Sequence, residues 1–240
     1  MSSDKISELV DALITDDDKE IINELISIGR KDINQLTNAL RHENWHARWK
    51  IAEILGEIKD KRASPFLIQS IKEDKNSYVR EVCVESLGKI RDKTTIPFLI
   101  SLLKDRNPQV RIEAALALGK MKAVEAVPDL CNNLSANSSG VRWAAVRALG
   151  AIKDAKDAVI PLISLLDEEK ESNVRDWVIW TLGEIGDSQA TKPLIKVLKE
   201  DKNPDIRQEA DLALTEIAKK YGYSKKVLLA KYDCNNRNSK

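Results

Sequence analysis

The stretch 105–121, D-R-N-P-Q-V-R-I-E-A-A-L-A-L-G-K-M, decides the fold, because close variants of it recur along most of the chain. With Arg111 as the anchor, its equivalents are Arg48, Arg80, Arg142, Arg175 and Arg207, at steps of 32, 31, 31, 33 and 32 residues. A fixed period in this range is the signature of stacked repeats. Each anchor follows a small or β-branched residue: Ala47, Val79, Val110, Val141, Val174 or Ile206. Eight residues beyond the anchor stand Gly56, Gly88, Gly119, Gly150 and Gly183, and only Thr215 breaks the series. Four residues before it stand Asn44, Asn76, Asn107 and Asn203, two of them followed by Pro108 and Pro204. Asn accepts orphan N–H groups as an N-cap and Pro at N1 loses no intrahelical bond, so each unit opens a helix here.

From that cap Val110, Ala114, Ala117, Leu118 and Met121 recur at three- and four-residue steps, one buried stripe of an α-helix. The small alanines let a neighbouring helix approach closely, and the glycine either serves the same packing or loosens the last turn. A shorter helix precedes each unit, typified by I-P-F-L-I-S-L-L at 96–103. Its proline recurs as Pro65, Pro128, Pro161 and Pro193, so all seven prolines fall near a predicted helix start.

This pattern, a helix A with L-x-x-L-L and then D-x-N-P-x-V-R opening a helix B with A-A-x-A-L-G, resembles the HEAT family, specifically the short PBS-lyase HEAT-like subclass. The resemblance implies an all-α, right-handed α-α superhelix, a HEAT-like solenoid of about six regular helix pairs between terminal capping helices. It implies helix A on the convex side and helix B on the concave side. It also implies a ladder in which an Asp before the turn meets the Arg of the V-R pair. Asp74, Asp105 and Asp201 match that Asp, whereas His42 and Ala136 replace it in the first and fourth units, where the ladder should be incomplete.

Three segments follow. Residues 1–30 read as a degenerate capping pair, 31–218 as six repeats, and 219–240 as a closing helix over 225–232 with a basic, disordered tail. Asp16, Asp17 and Asp18 suit the first turn of the second helix. Residues 153–157 and 168–173 read as loops. Cys83, Cys131 and Cys234 show no paired spacing, which with a polar N-terminus points to reduced thiols, a cytoplasmic location and no membrane span. Cys83 and Cys131 read as small core residues. The net charge of +1 is uneven, with +6 in residues 219–240 and −5 in the body, a poor match to nucleic acid.

Residues 42–46, H-E-N-W-H, satisfy the zinc-protease pattern H-E-x-x-H, which requires both histidines on one face of a continuous helix. The repeat register opposes this, because Asn44 takes the cap slot, so His42 ends one helix and His46 opens the next. No metal or other cofactor is expected. Two enzymes built on such repeats are weaker matches. Deoxyhypusine hydroxylase needs His-Glu pairs where this chain has Ile112-Glu113 and Gln208-Glu209. The HEAT-like DNA glycosylases use a basic groove with Trp, Arg and Asp. Trp143, Arg147, Asp176, Trp177 and Trp180 supply those types, but Glu53, Glu81, Glu85, Glu113 and Glu209 would repel phosphates.

The expected function is non-catalytic protein or peptide binding in the concave groove. The alternative that the resemblance implies is an accessory subunit of a bilin lyase or a chromophore-handling chaperone. Positions one, two and five after each anchor should point into the groove. They read Trp49, Lys50, Glu53; Glu81, Val82, Glu85; Ile112, Glu113, Leu116; Trp143, Ala144, Arg147; Asp176, Trp177, Trp180; and Gln208, Glu209, Leu212. Exposed aromatic side chains beside an arginine form a hot-spot composition. Trp143, Arg147, Trp177 and Trp180, supported by Ile112 and Leu116, are therefore the expected contact residues.

Overall fold

The computed structural model describes residues 3–15, 19–152 and 154–237, so the acid run Asp16, Asp17 and Asp18 lies outside the described residues. The described residues fall into two compact units, Met1–Met121 and Lys122–Lys240. The first holds α1 (Ser3–Thr15), α2 (Lys19–Lys31), α3 (Ile33–Asn38), α4 (Trp45–Ile58), α5 (Ser64–Glu73), α6 (Ser77–Ile90), α7 (Ile96–Leu102) and α8 (Pro108–Met121). The second holds α9 (Val127–Asn133), α10 (Ser139–Ala151), α11 (Val159–Glu168), α12 (Ser172–Ile185), α13 (Thr191–Glu200), α14 (Pro204–Lys220) and α15 (Lys225–Arg237). The closing helix thus continues through Arg237, and residues 235–237 are helical where the sequence suggested a disordered tail. No described helix is long and apolar enough to cross a membrane.

Helices α4, α6 and α8 pack side by side in the first unit, and α10, α12 and α14 do so in the second, each backed by the shorter helix before it. The stripe read from the sequence is the core: Val110, Ala114, Ala117, Leu118 and Met121 are all buried. The leucine seven residues after the anchor is fully covered in every unit that has one, as at Leu55, Leu87, Leu118, Leu149, Leu182 and Leu214. Each such burial stabilises the fold by roughly 1.5–3 kcal/mol.

The repeated glycine serves packing. A Cβ on Gly88 would lie 2.8 Å from the Ala117 Cβ, and one on Gly183 would lie 2.9 Å from the Ala213 Cα. The helices run on past these glycines, and the turn comes later, at Lys59, Arg91 and Gly186, whose φ values are 60°, 56° and 65°. Asp60, Asp92 and Asp187 then accept the N–H two residues on, at 2.9, 3.2 and 2.8 Å. A short 3-10 turn follows, burying Ala63, Thr95 or Ala190 before the next helix A.

Asn44, Asn76, Asn107 and Asn203 cap the B helices as expected, accepting N–H bonds at 2.8–2.9 Å. In five units the anchor arginine donates through Nη1 to the carbonyl six residues earlier, as Arg48 to His42 at 2.7 Å and Arg111 to Asp105 at 2.6 Å. Anchor arginines also form the rungs of a ladder to the next repeat. Arg48 grips Asp74 through two bonds of 2.6 and 2.9 Å, and Arg175 meets Asp201 at 2.5 Å. Arg142 grips Glu169 at 2.6 and 2.8 Å, a rung the aspartate pattern did not reveal.

At the first unit the polarity inverts. His42 Nδ1 accepts the Asn44 N–H at 3.1 Å, the role Asp74 Oδ1 plays for Asn76, while Nε2 meets Asp11 of α1 at 3.1 Å. His42 therefore fills the place of the missing acid rather than leaving a gap. His46 lies beyond the cap on α4 and stacks on Trp49 with ring centroids 5.8 Å apart, so the two histidines stand on different elements. Cys83 is buried, but Cys131 is only half-buried, a departure from the core role expected for it. Burial pushes the Cys83 thiol far up and, with Asp157 adding to the effect, the Cys131 thiol up to about 11. The side chain of Cys234 lies outside the described residues.

Candidate binding site

Two side-by-side B helices of the second unit position the aromatic cluster. Trp143 and Arg147 are one turn apart on α10, and Asp176, Trp177 and Trp180 lie on the neighbouring α12. The Trp143 and Trp177 rings meet edge to face, with centroids 6.3 Å apart at 90°, and Trp177 meets Trp180 at 5.2 Å and 74°. The Arg147 guanidinium lies 5.3 Å from the Trp143 centroid and 5.5 Å from that of Trp177, within cation–π range of both. Trp180 packs over Gly150, where an added Cβ would meet its ring at 2.8 Å.

Trp180 is 40% exposed and Arg147 is exposed, whereas Trp143 and Trp177 are half-buried. The open aromatic area is thus smaller than three free rings would give, because the edge-to-face contacts cover part of each ring. The second groove slot is generally more enclosed than expected: Lys50, Val82 and Ala144 are buried. At about 100° of rotation per residue, that slot stands only about 40° from the buried slot six after the anchor. Trp177 remains accessible there through its size.

Beside the rings, Asp176, Trp177, Trp180 and Glu209 line an open cavity of about 210 Å³. Asp176 Oδ1 is buried with no hydrogen-bond partner. Burial, reinforced by Asp205, raises its carboxyl above the ordinary value. In the sequence Asp176 stands one residue after its anchor and Glu209 two after its own. Their adjacency to the rings was the available signal.

In the first unit Ile112 and Leu116 are half-buried on α8. Their surroundings are acidic. Burial, with Glu85 next, raises the Glu113 carboxyl, and burial raises that of Glu81. Lys89 bridges Glu57 at 2.9 Å and Glu85 at 3.3 Å. The buried Lys50 holds its ammonium 4.6 Å from the Trp49 ring centroid. Among the described residues no group of three or more His, Cys, Asp or Glu side chains is arranged to hold a metal ion.

The sequence profile for HEAT repeats matches residues 6–88, 66–141 and 127–215, and the chain belongs to the HEAT-repeat family. Its fold class is the all-α HEAT-like and armadillo-like solenoid. Among solved structures, it resembles the complex of CpcE and CpcF of phycocyanin lyase from Nostoc sp. PCC7120. That match has 25% identity and a TM-score of 0.57, covering 77% of this chain and 76% of that one. A designed armadillo repeat protein in complex with the peptide (KR)4 matches with 17% identity and a TM-score of 0.60, covering 78% and 99% of the two chains. The archaeal HEAT-like repeats protein from Thermococcus onnurineus NA1 matches with 15% identity and a TM-score of 0.55, covering 90% and 98%. No curated protein matches the chain.

Proposed function

We propose that this chain is a non-catalytic binding module that holds a protein or peptide segment across the B helices of its second unit, centred on Trp143, Arg147, Trp177 and Trp180. The observation that carries the reading is the exposed Arg147 between two tryptophan rings, with a third ring open beside them. Trp and Arg dominate interface hot spots, because each offers a large rigid surface and a defined polar direction. Such a cluster needs no reactive centre to bind. Ile112 and Leu116, half-buried on α8 of the first unit, offer supporting apolar surface for the same segment. The complex of a designed armadillo repeat protein with a peptide is consistent with peptide binding by a solenoid of this class.

The test is to pan a random peptide library against the protein and measure the enriched peptides on Trp180→Ala and on Trp177→Ala with Trp180→Ala. Trp180 is the cleaner site, since Trp177 is half-buried between two rings and its removal also lowers stability. Affinity should fall at least about thirtyfold, as the loss of a hot spot of about 2 kcal/mol implies. Unchanged affinity in the folded double variant would overturn the reading.

The likeness to the phycocyanin lyase structure favours a second reading, an accessory subunit in bilin attachment or handling. Mixing the protein with a bilin and its apoprotein should then shift the absorption spectrum. Under the binding-module reading the spectrum stays fixed.

A further inference from the structure

We propose that the cavity lined by Asp176, Trp177, Trp180 and Glu209 is a subsite for an arginine side chain, presented by the segment bound at the tryptophans. The inference deepens the preceding reading and rests on it only for how the arginine is delivered. Three observations carry it. First, Asp176 Oδ1 is buried without a donor, and a second carboxylate, Glu209, lines the same cavity. Partial burial makes the Asp176 charge unfavourable in the free protein, and a cation held in the cavity between the two carboxylates offsets it. Asp205 adds a further negative charge nearby, while the adjacent Arg175 is committed to Asp201 at 2.5 Å.

Second, the walls are aromatic. Trp177 and Trp180 stand 5.2 Å apart at 74°, giving a cation one ring face and a neighbouring ring edge. Guanidinium is planar and weakly hydrated, so it stacks on such a ring while donating in its own plane to a carboxylate. Lysine offers a compact, strongly hydrated charge that uses the flat walls less well. The chain already shows the preference internally, with Arg147 placed 5.5 Å from the Trp177 centroid.

Third, the size is right for one side chain. At about 210 Å³ the cavity lies below the ~300–1,000 Å³ of pockets that enclose drug-sized ligands and cofactors.

The experiment titrates isotope-labelled protein with Nα-acetyl-arginine amide and with its citrulline counterpart, which keeps the shape and removes the charge. The indole N–H resonances of Trp177 and Trp180 report binding. The arginine probe should shift both saturably, with the citrulline probe at least about tenfold weaker and Asp176→Asn losing about tenfold in affinity for the arginine probe. Equal binding of the two probes, no binding of either, or an unaltered Asp176→Asn variant would overturn the proposal. The Glu209→Gln variant serves as a second reading of the same charge if Asp176→Asn alters the fold. Library peptides that need Trp180 yet bind Asp176→Asn equally would sink the arginine subsite and leave the binding module standing. An arginine probe that titrates Asp176 while no peptide depends on Trp180 would do the reverse.

Discussion

Asp74 and Asp176 are carboxylates at different slots of the repeat pattern, in its second and fifth copies, and their surroundings drive them in opposite directions. Burial alone would raise Asp74, but the Arg48 guanidinium and the Asn76 N–H outweigh it and hold it below its ordinary value. A depressed carboxylate stabilises the fold above its unfolded pKa and loses that contribution as pH falls through the folded value, here below about pH 4. Asp74→Asn should therefore lose about 2 kcal/mol at neutral pH, the value of charge-assisted hydrogen bonds. Urea denaturation should show that gap closing under acid conditions, and a gap constant with pH would refute the assignment. Asp176 is raised instead, so its ionised form opposes folding above the unfolded pKa and that penalty is relieved as pH falls. Asp176→Asn, measured alongside, should gain roughly 0.5 kcal/mol at neutral pH, at the low end of charge-optimising substitutions. The ladder acids were legible because Asp, Asn and Arg keep a fixed spacing. Glu169 was not, since a longer side chain reaches Arg142 from a stretched loop. The isolation of Asp176 was not legible either, because a missing donor is a property of packing.

At the scale of the helix, the repeated glycine is where local propensity and packing compete. Alanine in a helix interior is favoured over glycine by about 0.8–1.0 kcal/mol, so Gly88→Ala would stabilise an isolated α6. In the assembled unit the new Cβ would stand 2.8 Å from the Ala117 Cβ and 3.0 Å from its Cα, on a neighbouring backbone that cannot swing aside. Overpacking of this kind costs about 1–3 kcal/mol, so packing should win and the melting temperature should fall. A rise would mean that α6 and α8 separate easily. The sequence left packing and a loosened turn as alternatives for this glycine. It could not decide between them, because the true turn falls on Lys59 and Arg91, residues without the usual preference for positive φ. Helix starts were clearer, since Asn and Pro leave an unambiguous chemical mark.

For the molecule as a whole, the period was the most legible feature, because each repeat packs on its immediate neighbours and so repeats its own pattern. Charge is legible at the same scale and bears on which partners the chain can hold. Glu53, Glu81, Glu85, Glu113, Asp176 and Glu209 stand one, two or five residues after their anchors on the B helices, whereas the excess of +6 lies in residues 219–240. A nucleic-acid surface needs the opposite arrangement, with cations tracking the phosphates along the binding face. If duplex DNA binds only through the tail, its seven Lys and Arg residues neutralise at most seven phosphates, and the slope of log affinity against log salt cannot exceed about −6 in steepness. Mobility-shift titrations should therefore show weak retardation at low salt and none at physiological salt. Retardation that persists there, with a steeper slope and sensitivity to Arg147→Ala, would place phosphate on the tryptophan cluster and replace the peptide with DNA as its ligand.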